Sequence, residues 1–259
     1  MQIHILASGS TGNAIYLSMG ATRILVDAGI SARRIEQGLA GIGVKASDLD
    51  AVLITHEHSD HIKGLEVLTR KHELPIYTRE RTWDAIPGGR EKLAGRNWQA
   101  IDQDFSIGTV DIKAFGISHD AADPVGFCFY YKQHKWAIVT DLGTVTPGVE
   151  KALSGADLAV VESNHDPDML KNGPYPQFLK QRIMSKQGHL SNFDTAALLC
   201  RIAHLKRMQI FLAHLSQHNN RPQLAEQTIA GILAQQGCRA GEDIVLHRTH
   251  PDAAAGVSF

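Results

Sequence analysis

The sequence has few cysteines, no long hydrophobic run and almost no net charge. Its 259 residues include three cysteines, and 26 Lys and Arg oppose 27 Asp and Glu, which leaves a formal net charge of −1. Cys128, Cys200 and Cys238 fit neither a disulfide framework nor a CxxC metal site, so we expect free thiols. No apolar run approaches the roughly 20 residues of a membrane helix. Without an overall positive charge, a polyanionic substrate must be held by local basic patches.

The remaining composition is that of an ordinary globular protein, with 43% hydrophobic and 20% charged residues. The start, MQIHILASGS, lacks the basic and apolar regions of a signal peptide, so we expect a cytoplasmic protein. No repeat, low-complexity tract or Gly/Pro-rich linker divides the chain. These features favour a single domain over residues 1–259.

Apolar runs at strand spacing and at helix spacing occur in both halves of the chain. The predicted strands are residues 3–7, 14–17, 23–26, 51–54, 110–115, 126–131, 136–139, 158–161 and 210–213. The predicted helices are residues 31–42, about 62–71, 178–184, 191 to about His204, and 223–233. Two β-rich halves with helices outside predict an α/β fold, an αββα sandwich of two mixed sheets.

Histidine is abundant, with 14 residues, and its spacing indicates a metal site. After the predicted strand 51–54 the chain reads THEHSDH. Histidines two apart in extended backbone point the same way, so His56 and His58 can bind one ion. Asp60 and His61 lie where the next helix begins and can turn toward a second ion. Clustering these groups without a metal would carry a high desolvation penalty.

Three more candidate ligands follow predicted strands: His119, Asp141 and His214. The resulting seven ligands fit two divalent ions bridged by a carboxylate and a hydroxide. The pairing we favour places His56, His58 and His119 on one ion, places Asp60, His61 and His214 on the other, and has Asp141 bridge the two. The His/Asp donor set suits zinc and manganese alike.

The HxHxDH run with its later ligands resembles the metallo-β-lactamase superfamily, whose αββα fold agrees with the two-sheet prediction. Further blocks resemble the bacterial YycJ (WalJ) family, and they are Leu6–Ala14, Thr55–Leu65, Ser118–Ala121, Glu162–Asp166, Gly188–Asn192 and Leu212–Ser216. This resemblance implies metal-dependent 5′-to-3′ exonuclease action on DNA. Two blocks also resemble tRNA 3′-processing nucleases, in which a glutamate and a histidine outside the metal shell serve the leaving group. Glu162 and His189 occupy these motifs.

These features together predict a dinuclear phosphodiesterase that uses a metal-bridging hydroxide. Asp60 is expected to orient the hydroxide as well as bind metal. His189, positioned by Glu162, is expected to protonate the departing 3′ oxygen. The substrate is expected to be DNA ends.

Other activities of the superfamily share the same ligands. A thioester or lactone hydrolase of the glyoxalase II type is one alternative, and an RNA-processing nuclease is another. The pair Glu162 and His189 favours a nuclease, and the lack of an export signal disfavours a β-lactamase. A metal-stabilised binding module would need no open coordination position, whereas seven ligands around two ions leave room for water.

Four further segments have two interpretations each. The turn Ser8–Asn13 either borders the site or cradles phosphate with its N–H groups. His165 either touches the site or caps a turn. Residues 191–194 read first as a helix capping box, and they would also present free N–H groups and a positive helix end close to His189. A stretch without acids contains four cations, Arg201, Lys206, Arg207 and Arg221. They form either a solvated helix face or a basic track that contacts the DNA backbone.

Overall fold

The computed structural model describes residues 1–93, 95, 97–102, 104–202, 207–250 and 254–259. Its strands are β1 (Gln2–Ala7), β2 (Ala14–Met19), β3 (Thr22–Val26), β4 (Ala51–Leu53), β5 (Ile76–Thr78), β6 (Trp98–Ala100), β7 (Phe105–Ile107), β8 (Val110–Gly116), β9 (Val125–Tyr131), β10 (His134–Val139), β11 (Leu158–Glu162), β12 (Met208–Ala213), β13 (Ile244–Arg248) and β14 (Ala255–Ser258). Its α-helices are α1 (Ala32–Gly41), α2 (Ser59–Ile62), α3 (Leu65–His72), α4 (Glu80–Ala85), α5 (Gly89–Lys92), α6 (Pro147–Leu153), α7 (Pro167–Asn172), α8 (Gln177–Ile183), α9 (Asn192–Ile202) and α10 (Pro222–Gln235). Among the described residues, no helix is both long and apolar enough to cross a membrane.

The strands form two mixed sheets of seven strands each, flanked by helices, which confirms the predicted fold class. The first sheet has the order β14-β1-β2-β3-β4-β5-β6, and the second has the order β13-β12-β11-β10-β9-β8-β7. In the first, β3, β4, β5 and β6 are parallel neighbours. In the second, β10, β11, β12 and β13 are parallel neighbours.

The chain divides into two compact units, each with its own core. The first comprises Met1–Ala114, Ala121–Val125 and Pro251–Phe259, and the second Phe115–Asp120 and Gly126–His250. The core of the first includes Leu6, Leu25, Val52, Leu68 and Ile76. The core of the second includes Val139, Val161, Leu198, Leu212 and Ile229. A single domain stays a prediction.

The helix predicted over about 62–71 is wrong in one respect, because the structure divides this region into α2 and α3 at Gly64. The Gly64 amide donates to the carbonyl of Ala28 at 2.7 Å. A Cβ at Gly64 would lie 2.2 Å from the carbonyl oxygen of Ile30. This close approach requires glycine and separates the two helices. The predicted end of the helix from 191, near His204, lies outside the described residues.

In each unit, parallel strands bring polar side chains to one sheet edge. In the first unit β3 leads into Asp27 and β4 into the 55–61 segment. In the second, β10 leads to Asp141, β11 ends at Glu162 and β12 leads into His214. Asp27, Asp141 and His214 adopt positive φ of 61°, 57° and 54°. Such backbone conformations are uncommon for residues other than glycine, and they cluster at functional sites.

Candidate metal centre

The first unit brings the three histidines of the HxHxDH run together. The ring centroids of His56 and His58 are 4.6 Å apart, and those of His56 and His61 are 4.0 Å apart. Oδ2 of Asp60 lies 3.6 Å from Nε2 of His61. His56 and His61 are fully buried. This is a donor set of imidazoles and a carboxylate, which suits a divalent transition metal.

Asp27, which sequence reasoning missed, orients this group. Its Oδ2 lies 2.7 Å from Nδ1 of His61, and it also accepts the Thr55 hydroxyl at 2.9 Å. A carboxylate can only accept, so Nδ1 of His61 carries the proton and Nε2 is the nitrogen for a metal. The Asn13 amide nitrogen lies 3.1 Å from that Nε2. Because Nε2 has one lone pair, an ion bound there displaces the amide contact.

Thr55 extends the same orientation to His56. Its hydroxyl donates to Asp27 and therefore accepts from Nδ1 of His56, 3.0 Å away. This bond fixes the His56 tautomer with Nε2 as the metal-binding nitrogen. Asp27 is the residue directly after β3, and β3 pairs with β4 in parallel. An acid in this position is the sequence signal that could have identified it.

The second unit brings together Asp141, Glu162, His189 and His214, whose potential ligand atoms all lie within 4.8 Å of one another. One oxygen of Glu162, Oε1, accepts from Nδ1 of His189 at 2.8 Å and from Nδ1 of His214 at 2.9 Å. Its other oxygen accepts the backbone N–H groups of Leu142 at 2.7 Å and Leu190 at 3.0 Å. Glu162 is thus held at both oxygens.

The charge of Glu162 follows from these neighbours. Complete burial alone would raise its pKa, but the adjacent His189 and His214 lower the pKa to about 2. Glu162 is therefore ionised at neutral pH and acts only as an acceptor. Both histidines present Nδ1–H to it, which leaves Nε2 of each to face a ligand.

His119 has a comparable arrangement. Its Nδ1 lies 3.3 Å from the carbonyl oxygen of Gly188, so this nitrogen carries the proton. Its Nε2 lies 3.8 Å from Oδ1 of Asp141. Burial lowers the pKa of His119, which favours the neutral imidazole that metals bind.

Comparison with known proteins assigns the family. The family described as Beta-lactamase superfamily domain matches residues 22–214. Exodeoxyribonuclease YycJ of Bacillus anthracis is 38% identical over 100% of this chain and 99% of its own. Exodeoxyribonuclease WalJ of Streptococcus pneumoniae is 41% identical over 96% of this chain and 94% of its own. The chain belongs to the YycJ/WalJ-like family of the metallo-β-lactamase superfamily.

A solved structure confirms the fold of this chain. The metallo-β-lactamase fold protein YhfI from Bacillus subtilis aligns with a TM-score of 0.73 and covers 98% of both chains at 19% identity. The HxHxDH and strand-end residues of the YycJ/WalJ-like chain form His/Asp clusters able to hold metal. The carboxylates of Asp27 and Glu162, bonded to Nδ1 of candidate ligands, are the second layer that metal-binding histidines usually have.

Other residues discussed from the sequence have more local roles. Three backbone N–H groups of the Ser8–Asn13 turn already have acceptors within the protein. Gly9 donates to Oδ1 of Asn13, Gly12 donates to the carbonyl of Gly9, and Asn13 donates to the carbonyl of Asp60. These bonds do not support a phosphate cradle at the turn. The ring of His165 is in none of the metal-binding groups found in the described residues, and burial lowers its pKa. Ser191 and Asp194 exchange bonds between side chain and backbone, which confirms the capping box.

Arg207, a member of the predicted basic track, lies at the opposite end of β12 from His214. Arg201 pairs with Glu150 at 2.8 Å. Arg207 precedes β12, whereas His214 follows it. At about 3.3 Å per residue, β12 separates these residues by roughly 20 Å. Lys206 lies outside the described residues. Arg207 therefore does not belong to the strand end that carries His214.

Proposed function

We propose that this chain is a metal-dependent exodeoxyribonuclease that degrades DNA from 5′ to 3′. One observation carries the proposal: Glu162 accepts hydrogen bonds from both His214 and His189. His214 is a candidate metal ligand, whereas His189 is not among the seven proposed ligands. A metal-binding module without catalysis has no use for the second histidine. Relatives that match over nearly the whole chain carry the name exodeoxyribonuclease.

The proposed cofactors are two divalent ions, zinc or manganese. Their ligands are the seven residues predicted from the sequence: His56, His58 and His119 for one ion, Asp60, His61 and His214 for the other, and Asp141 for both. The ligand count and the family support this assignment. Bound ions supply an activated water near neutral pH and neutralise charge on the phosphate.

The chain's own residues handle the leaving group. Nδ1 of His189 donates to Glu162, so Nε2 of the imidazolium is the atom that gives a proton to the departing 3′ oxygen. The ionised Glu162 accepts from Nδ1 of His189 and fixes the orientation of its ring. Glu162 acts through His189 and is thus a positioning residue. Asp60, part-exposed beside His61, has the second proposed role of orienting the attacking water.

The test compares substrate classes on one preparation. Metal-reconstituted protein is incubated with DNA, with RNA of the same sequence and with a glutathione thioester, and initial rates are measured. We expect DNA to be turned over fastest, and Asp141→Ala to abolish turnover while the folded circular dichroism spectrum remains. A higher rate on the thioester or on RNA contradicts the proposal.

A further inference from the structure

A basic segment without acids leads into His189. Residues 169–193 contain four cations, Lys171, Lys180, Arg182 and Lys186, and no Asp or Glu. The whole chain, by contrast, has a formal net charge of −1. The segment covers the end of α7, all of α8, the loop that carries His189 and the start of α9. Its charge is therefore a local property and not a reflection of overall composition.

The loop after α8 is held against residues that flank candidate ligands. The carbonyl of Lys186 accepts the Ser118 hydroxyl at 2.7 Å and the Thr144 hydroxyl at 3.1 Å. A Cβ at Gly143 would lie 2.4 Å from this same carbonyl oxygen. Arg182 Nε also donates to Asp120 at 2.6 Å. The backbone of Lys186 is thus fixed, while its side chain is exposed.

A polar cavity of about 290 Å³ lies beside Lys186, and Thr144, Met184, Asp194 and Arg201 also line it. Asp194 is engaged by Ser191, and Arg201 is paired with Glu150. Among the described residues, no hydrogen bond or ion pair is found for the Lys186 ammonium. The cavity therefore has one cation able to bind an anion without breaking an existing pair.

Exposed apolar side chains accompany these cations. Phe178, Met184 and Phe193 are 72%, 56% and 53% exposed. They are three of the five large hydrophobic residues exposed in the described part of the chain. Aromatic faces interleaved with cations are the features with which proteins bind single-stranded nucleic acid, by base stacking and phosphate contacts.

We propose that residues 171–193 bind the DNA strand adjacent to the reacting phosphodiester. Lys186 contacts a backbone phosphate at the cavity, and Phe178 and Phe193 stack on bases. Charge complementarity selects DNA as the occupant, and the continuity of the segment with His189 places the strand next to the reaction. The inference rests on the proposed nuclease function, and it replaces the track through Arg207.

The experiment separates DNA binding from catalysis. Metal-loaded protein is titrated into a fluorescein-labelled phosphorothioate oligothymidylate, which resists cleavage, and anisotropy gives the dissociation constant at several salt concentrations. Hydrolysis of bis(p-nitrophenyl) phosphate is measured in parallel. The variants are Lys186→Glu, Lys186→Gln and Phe193→Ala. Arg207→Glu is the matched control. It also reverses one positive charge, but Arg207 lies at the end of β12 opposite to His214.

We expect Lys186→Glu to weaken DNA binding at least about tenfold and to reduce the salt slope by about 0.7, the value of one phosphate contact on single strands. Lys186→Gln should have a smaller effect, and Phe193→Ala should weaken binding with the slope unchanged. All variants should keep the wild-type rate on bis(p-nitrophenyl) phosphate.

The results distinguish the two proposals. If the wild type binds the oligonucleotide through Lys186 but cleaves no DNA, the nuclease function fails and the binding surface stands. Unchanged binding in Lys186→Glu, a larger loss in Arg207→Glu, or no DNA binding by the wild type overturns the surface.

Discussion

Nδ1 of His189 lies 2.8 Å from Oε1 of Glu162, and this one oxygen also accepts from Nδ1 of His214. The two histidines therefore share one acceptor, although only His214 is a candidate metal ligand. The negative charge on this oxygen is therefore divided between two hydrogen bonds. A change at either imidazole is therefore expected to affect the bond that the other makes to this carboxylate.

Glu162→Gln tests the bonds of Glu162 to His189 and His214 with little change to the fold. Glutamine retains the volume but has one acceptor oxygen, so its amide N–H faces a donor on at least one side. We expect metal affinity to fall about 10- to 100-fold, the usual effect of losing such a partner. Isothermal titration with zinc measures it. Glu150→Gln, at a part-exposed ion pair in the same unit, is the control, and equal affinities in the two variants would contradict the positioning role.

His189→Ala should slow DNA cleavage by about 10²- to 10⁴-fold, the range of a general-acid contribution, while metal content stays normal. The loss should be much smaller on bis(p-nitrophenyl) phosphate, because nitrophenolate leaves without a proton. Initial rates on both substrates and elemental analysis give the result. Equal slowing on the two would remove His189 from leaving-group chemistry.

Acid should destabilise the metal-free protein. Burial lowers the pKa of His119 and His165 from 6.5, so the unfolded chain binds more protons than the folded one once pH falls below that value. The Glu162 pKa, lowered from 4.5 to about 2, adds stability above pH 4.5 that is lost as pH falls toward 2. Both effects have the same sign. Urea unfolding at a series of pH values should show that the free energy of unfolding decreases steadily as pH falls. A free energy of unfolding that rises on acidification would contradict this prediction.

Gly29→Ala should displace α2, the short helix that carries Asp60. A Cβ at this position would lie 1.6 Å from the Asp60 carbonyl oxygen and 2.6 Å from the backbone nitrogen of Asn13. The backbone must move, so we expect a loss of several kcal/mol in stability or of metal at His61. Gly41→Ala is the control, since nothing lies within 4 Å of its added Cβ. Thermal melts of the two variants should differ clearly, and similar melting temperatures would refute the close packing.

The sequence predicted the buried strands that carry the site better than three short strands at or near the sheet edges. The strand over 51–54 and the strand before His214 have continuous apolar runs, because both are buried. By contrast, β5, β6 and β7 have three residues each and are only partly buried, so neither periodicity nor a continuous apolar run reveals them. The ligand candidates were visible because spacing and strand ends identify them. Asp27 was not, since a lone acid after a strand looks like a turn residue until its bond to His61 is seen.

The most direct measurement of the central claim follows cleavage of 5′-labelled and 3′-labelled DNA by one preparation, before chelation, after chelation and after return of zinc or manganese. We predict that the 5′ label appears at once in mononucleotides, that the 3′ label remains on steadily shortening strands, and that chelation stops both until metal is restored. Internal fragments of many lengths at the earliest times, or cleavage that persists without metal, would contradict a metal-dependent 5′-to-3′ exonuclease.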